Sequence, residues 1–226
     1  MCFYGVVPAL VKDPTNPTPS EQKIIRSLRV FQAAMLKTPS LAGAKVDVVV
    51  IPATADGSPE DKSKEGGSEE LIIGVATWLP PNVTLDFNFI TTLRGGALKV
   101  AFAWGLTSVK RLLGDYTAAV ERTLTKEFKA RHLDRLDSWH LFEIAIEPSY
   151  QGSGYSTMLF QEAFRRAPPK PLHVVASKPA NKDIYAHFGF EAQTHMVGVG
   201  EVDAAGLKAR GQAATGLPEF VMIKWP

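Results

Sequence analysis

Residues 139–163 read WHLFEIAIEPSYQGSGYSTMLFQEA, and the fold of the chain turns on them. His140 to Ile146 is rich in branched and apolar side chains and predicts a strand. Pro148 stops it, because proline donates no hydrogen bond to a sheet ladder. Ser149 to Ser156 predicts a loop of small residues, with a helix starting near Thr157. Leu159 with Ala163, and Phe160 with Phe164, recur at i, i+4 spacing and give that helix an apolar face.

A glycine loop running onto a helix has a chemical use. The first-turn amides lack partners within the helix, and the macrodipole adds partial positive charge there. Gly152 and Gly154 let an anion approach the backbone with no Cβ in the way, and a phosphate suits such a place. By itself the glycine pair also fits an ordinary strand–turn–helix connection with no ligand. Two known phosphate loops are absent: there is no GxxxxGK[ST], and Gly152-Ser153-Gly154 lacks the third glycine of GxGxxG.

Length and composition set bounds. A chain of 226 residues with 45% hydrophobic residues sustains one substantial core. Lys and Arg number 25 against 23 Asp and Glu, a net charge of +2, so neither nucleic acid nor an anionic membrane is the expected partner. Cys2 is the lone cysteine, which excludes an internal disulfide and fits a reducing compartment; the cytoplasm is the expectation. No apolar run reaches bilayer-spanning length, and no signal-peptide pattern opens the chain.

Before the central strand, Ser20 is a candidate N-cap, and Ile24, Leu28, Phe31 and Met35 predict a helix. Lys45–Ile51 and Leu71–Leu79 predict a hairpin around a long polar loop, and Pro80-Pro81 ends it. From about 82 to 138, apolar residues at helical spacing (Val109, Leu112, Leu113, Tyr116, Val120) predict two or three inserted helices, with Leu124 and Phe128 extending the series. Beyond the central helix, Leu172–Ser177 predicts a strand parallel to the central one, Asn181–Phe188 a short helix capped by Gly189, Phe190–Val202 mainly strand, and Glu219–Trp225 a closing strand.

Two segments together carry a resemblance. Ile146-Glu147-Pro148 followed by Gln151-Gly152-Ser153-Gly154-Tyr155-Ser156 resembles the [QR]-x-x-G-x-[GA] acetyl-CoA loop of the GNAT superfamily of N-acyltransferases, with Ser156 in the place of the last small residue. One strand later, Ala180-Asn181-Lys182-Asp183-Ile184-Tyr185-Ala186-His187-Phe188-Gly189-Phe190 is similar to that family's A-N-x-x-x-Y-x-x-x-G-F. The phrase Val75-Ala76-Thr77-Trp78-Leu79-Pro80-Pro81 and the helical insert resemble the puromycin-acetyltransferase-like branch and its fungal relatives. Families of this kind begin with a strand and a longer first helix. The chain is therefore expected to start partway through them, leaving a sheet edge that a second subunit could cover in a homodimer.

The resemblance implies a single α/β domain over 1–226, with a mixed sheet whose parallel central strands splay apart, a CoA-binding core at about 139–190 and the insert at about 82–138. It implies acetyl transfer from acetyl-CoA to a primary amine of a small molecule or peptide, by direct attack. The amides of Gln151, Gly152, Ser153, Gly154, Tyr155 and Ser156 would hold the pyrophosphate. Ile144, Ala145 and Ile146 would line the pantetheine arm, an amide near Ile146 would polarise the thioester carbonyl, and Asn181 and Tyr185 would lie beside the cofactor. An alkyl ammonium, with a pKa of roughly 10 by analogy with lysine, must lose a proton before attack. His140 and Glu143 are the candidate bases, though their opposite parity needs a bulge to bring both to one side. Tyr185 would protonate the departing thiolate. A catalytically silent CoA-binding module, or a structural domain that binds no CoA, are the alternatives. His132, His173 and His187 show no ligand spacing, so no metal is expected; Trp78 and Trp104 fit either a core or a pocket wall.

Overall fold

The computed structural model describes residues 16–53, 69–84, 94–105, 117–167 and 169–226. Helix α1 spans Pro19–Leu41, and its N-cap is Thr18, not the expected Ser20. Thr18 and Glu21 form a reciprocal capping box, and Pro19, with φ already suited to a first turn, lets the helix start there. Strands β1 (Lys45–Ala53) and β2 (Glu69–Leu79) form the predicted antiparallel hairpin. Helices α2 (Ala97–Trp104) and α3 (Thr117–Ala130) come from the insert. Val120, Leu124 and Phe128 are the buried face of α3, as their spacing predicts, whereas Val109, Leu112, Leu113 and Tyr116 lie outside the described residues.

Strand β3 (Trp139–Ile146) leads through a 3-10 turn at Pro148–Tyr150 to helix α4 (Tyr155–Arg166), which starts two residues earlier than expected. Strand β4 (Leu172–Ala176), helix α5 (Pro179–His187), β5 (Glu191–Val197) and β6 (Leu217–Lys224) complete the chain. β5 ends well short of Val202: Gly198 and Gly200 take positive φ, and the Val202 amide donates back to the Gly198 carbonyl, turning the chain out of the strand.

Among the described residues six strands lie in the order β1-β2-β3-β4-β6-β5, and every pairing is antiparallel except β3 with β4. One face carries α4 and α5. There Leu159, Phe160 and Ala163 of α4 and Tyr185 of α5 pack on Trp78, Leu141, Val174 and Met222. The opposite side of β6 presents Val221 and Ile223 to Val120, Leu124 and Phe128 of α3. Alternation along one strand, 220 and 222 one way and 221 and 223 the other, thus serves two cores. α1 and α2 meet through Phe31, Ala34 and Val100. Trp78 is a core residue, fully buried edge-on to Phe160, whereas Trp104 is partly buried, packs against the α1–α2 cluster and donates to the Ser27 carbonyl (2.9 Å).

Candidate active site

The parallel pair β3–β4 is short. Its rungs are Trp139 to Leu172, His140 to His173 and Leu141 to Val174, and there they end. β3 runs on to Ile146 with β2 along one edge, while β4 runs on to Ala176 paired with β6. The two strands therefore part after Leu141, and residues 142–146 turn a backbone edge with no ladder partner toward the opening.

A bulge shapes the β3 side of that opening. Thr77 pairs with Glu143 and Trp78 with Leu141, so Phe142 is an extra residue on β3. The insertion reverses the side-chain alternation. His140 opposite Leu79 and Glu143 opposite Thr77 consequently share one face, although their sequence parity differs. Thr77 is fully buried on that face, and its hydroxyl has no protein hydrogen-bond partner.

The loop at the mouth is held by its own strand. The Gln151 side-chain amide donates to the Ile146 carbonyl (3.0 Å), and the Glu147 amide donates to the Ile73 carbonyl (2.8 Å). Gly152 and Gly154 sit at φ +80° and +83°, the left-handed region that L side chains disfavour. A Cβ at either would meet nothing within 4 Å, so backbone conformation, not crowding, calls for glycine here. Gly154 is the N-cap of α4, with no side-chain cap and no acidic residue in the first turn. The Met158 amide donates to the Gly154 carbonyl. Amides ahead of it face the mouth uncapped by any carboxylate, and this suits an anion. Ser156 is partly buried in that first turn.

Tyr185 on α5 is buried among Phe160 and Phe190, with ring centres 6.0 and 6.2 Å away. Burial pushes its phenol up to about 12, so it stays protonated at neutral pH. Asn181, one turn earlier, is partly buried. The tight end of α5 comes from Gly189 at φ +86°, after which the Phe190 amide returns to the Tyr185 carbonyl.

The structure adds residues that sequence reasoning set aside. His173 lies flat against His140, ring centres 4.4 Å apart and 16° from parallel. Its Nδ1 is 3.1 Å from the Ser138 hydroxyl. Burial, then the Arg135 charge, brings His140 down to about 4; burial, then His140 and Arg135, lowers His173 as well. Both rings are neutral near pH 7. Only strand pairing brings them together, 33 residues apart in sequence, so no local pattern points to the contact. His132 and His187 are exposed and elsewhere. Among the described residues no cluster of His, Cys, Asp or Glu could hold a metal ion, and no helix is long and apolar enough to cross a membrane.

A mixed sheet opened between the parallel strands β3 and β4, with a glycine loop leading onto a helix at the mouth, is an α/β architecture of acyl-CoA N-acyltransferase type. No family model matches the chain. A sequence match is found with an uncharacterised N-acetyltransferase of Schizosaccharomyces pombe, 26% identical over 122 residues, covering 53% of this chain and 48% of the relative, about half of each. Among solved structures, a histone acetyltransferase HPA2 and related acetyltransferase from Corynebacterium glutamicum overlaps 99% of this chain and 91% of its own, at 19% identity and a TM-score of 0.47. Arylalkylamine N-acetyltransferase 2 from Aedes aegypti overlaps 96% and 85%, at 14% identity and a TM-score of 0.44. Both motif segments and the splayed pair are similar to those of the GNAT superfamily, and the yeast N-acetyltransferase, matched over about half of each chain, agrees with that similarity.

Proposed function

We propose that this protein is an acetyl-CoA-dependent N-acetyltransferase acting on a primary amine of a small molecule or peptide. The observation that carries the reading is the opening between β3 and β4 with an uncapped, carboxylate-free helix start at its mouth. The fit to coenzyme A is chemical. The amides of 151–156 suit a pyrophosphate, and the free edge of 142–146, including Ile144, Ala145 and Ile146, offers alternating donors and acceptors to an amide-rich arm. Bound acetyl-CoA would supply an activated thioester carbonyl. In the transfer, the amine nitrogen bonds to that carbonyl carbon, the carbon–sulfur bond breaks, and the sulfur leaves as a thiolate that takes up a proton.

The chain's own residues handle the protons. Tyr185 holds a phenolic proton across the physiological range and is the donor to the thiolate. His140 is neutral and able to accept, but at about 4 it is a poor resting place for a proton from an alkyl ammonium of roughly 10. It therefore acts as a relay through water, with Glu143 on the same face drawing the ammonium in. kcat/KM then rises with pH toward the amine's own pKa, with no inflection near 6.5. The S. pombe relative supports placing the chain near the fungal branch, and the insert helices α2 and α3 would contribute to the acceptor wall.

Titration calorimetry with acetyl-CoA, followed by thiol-release assays over an amine panel, tests the reading. Micromolar binding and turnover with at least one amine are expected. Binding without turnover on any amine points to a silent CoA module, and no binding overturns the assignment.

A further inference from the structure

We propose that His173, held by Ser138, is a positioning residue for His140, fixing the plane of the ring that faces the acceptor. The inference rests on the transfer reading above and concerns residues that neither sequence motif contains.

Proton counting carries it. The Ser138 hydroxyl has one hydrogen, and it donates that hydrogen to the Arg135 carbonyl at 2.5 Å. Toward His173 Nδ1, 3.1 Å away, the same oxygen can only accept. Nδ1 must then carry the ring hydrogen, and the neutral tautomer leaves Nε2 bare. The opposite tautomer would set two lone pairs against each other in a buried place, since Ser138 is 4% and His173 3% exposed. A second proton on the ring is opposed from three directions. Water is excluded, Phe128 meets the ring edge-on at 6.4 Å, and Arg135 adds positive charge nearby.

This fixed ring is the surface on which His140 lies. His140 is the more exposed of the two, and Phe142, the bulged residue, meets it edge-on at 5.7 Å. Stack and edge contact together allow the His140 ring one plane. The groups able to influence its charge are His173 on β4, Glu143 on its own strand and Arg135 on the preceding 3-10 turn, which is bonded to Glu121 of α3. The pair occupies the rung just before the last one joining the two strands, at the root of the opening. A neutral neighbour there keeps a second positive charge away from an arriving ammonium.

Nitrogen-15 NMR of histidine-labelled wild-type protein at pH 7 tests the tautomer first and needs no substitution. A protonated Nδ1 and bare Nε2 on His173 are expected; the reverse overturns the proposal. Ser138→Ala and His173→Leu should then lower kcat about tenfold with the acetyl-CoA KM unchanged, and shift the His140 resonances. His173→Asn, which keeps a donor for Ser138, should recover part of the loss. Wild-type-like kcat and unmoved His140 resonances in both Ser138→Ala and His173→Leu overturn the proposal while leaving the transfer reading intact. Failure of the wild type to transfer to any amine is the separate failure of that reading, and the positioning role falls with it.

Discussion

Arg166 closes on Asp47 through two hydrogen bonds of 2.7 and 2.6 Å, tying the last turn of α4 to the edge strand β1. The guanidinium also lies 5.5 Å from the Trp139 ring centre. Both ends of the pair are largely buried, with 24% and 15% of the side chains exposed. Asp47 is therefore what permits a charge at that depth, and its carboxylate raises the Arg166 pKa further. Asp47→Ala should lower unfolding stability by about 3 kcal/mol, read from urea melts. Acetyl-CoA affinity of the folded protein should change little, because the loop is at the other end of a helix about 18 Å long.

Gly154 separates conformation from space. Valine there has room but must adopt φ +83°, whereas asparagine tolerates that region. Gly154→Val should cost about 1–2 kcal/mol of stability and Gly154→Asn less than about 1. Both put a side chain where the pyrophosphate would approach, so calorimetry should show acetyl-CoA affinity falling at least about tenfold in each. Unchanged affinity in the asparagine variant would place the anion elsewhere.

Tyr185→Phe removes one oxygen from an aromatic cluster and leaves Phe160 and Phe190 in place. Thermal melts should move little, by about 1 kcal/mol or less in stability. Thiol release should slow about 10- to 100-fold with the acetyl-CoA KM near wild type. In wild-type protein, no loss of rate traceable to the phenol is expected below about pH 11, since its pKa is about 12.

The stacked histidines make folding sensitive to acid. Their folded-state pKa values lie below the unfolded value, with His140 brought from 6.5 to about 4. Above pH 6.5 neither state binds a proton at these rings and stability is full. As the pH falls from 6.5 to 4 the unfolded chain takes up protons that the native one refuses, so stability drops, by about 3 kcal/mol from His140 alone. Denaturant midpoints at a series of pH values should decline through that window. In His140→Phe the decline should be shallower.

The outline of the fold was legible from local chemistry. Branched residues at 140–146, Pro148 behind them and i, i+4 spacing at Leu159 and Phe160 place β3 and α4 with small errors at the ends. Those errors have causes: Pro19 moved the α1 start to Thr18, and positive-φ glycines at 198 and 200 cut β5 short. The phosphate-loop candidate was equally visible, because backbone requirements at Gly152 and Gly154 are written in single residues.

Pairing was not. Periodicity assigns His140 and Glu143 to opposite faces, and only the register shift at Phe142, imposed by β2, puts them on one. His173 looked like any strand residue until three parallel rungs laid it on His140. Local sequence dictates which backbone shapes a segment can take, since those preferences act within a few residues. Which side chains meet across strands depends on register, and register is settled by the collective packing of both sheet faces.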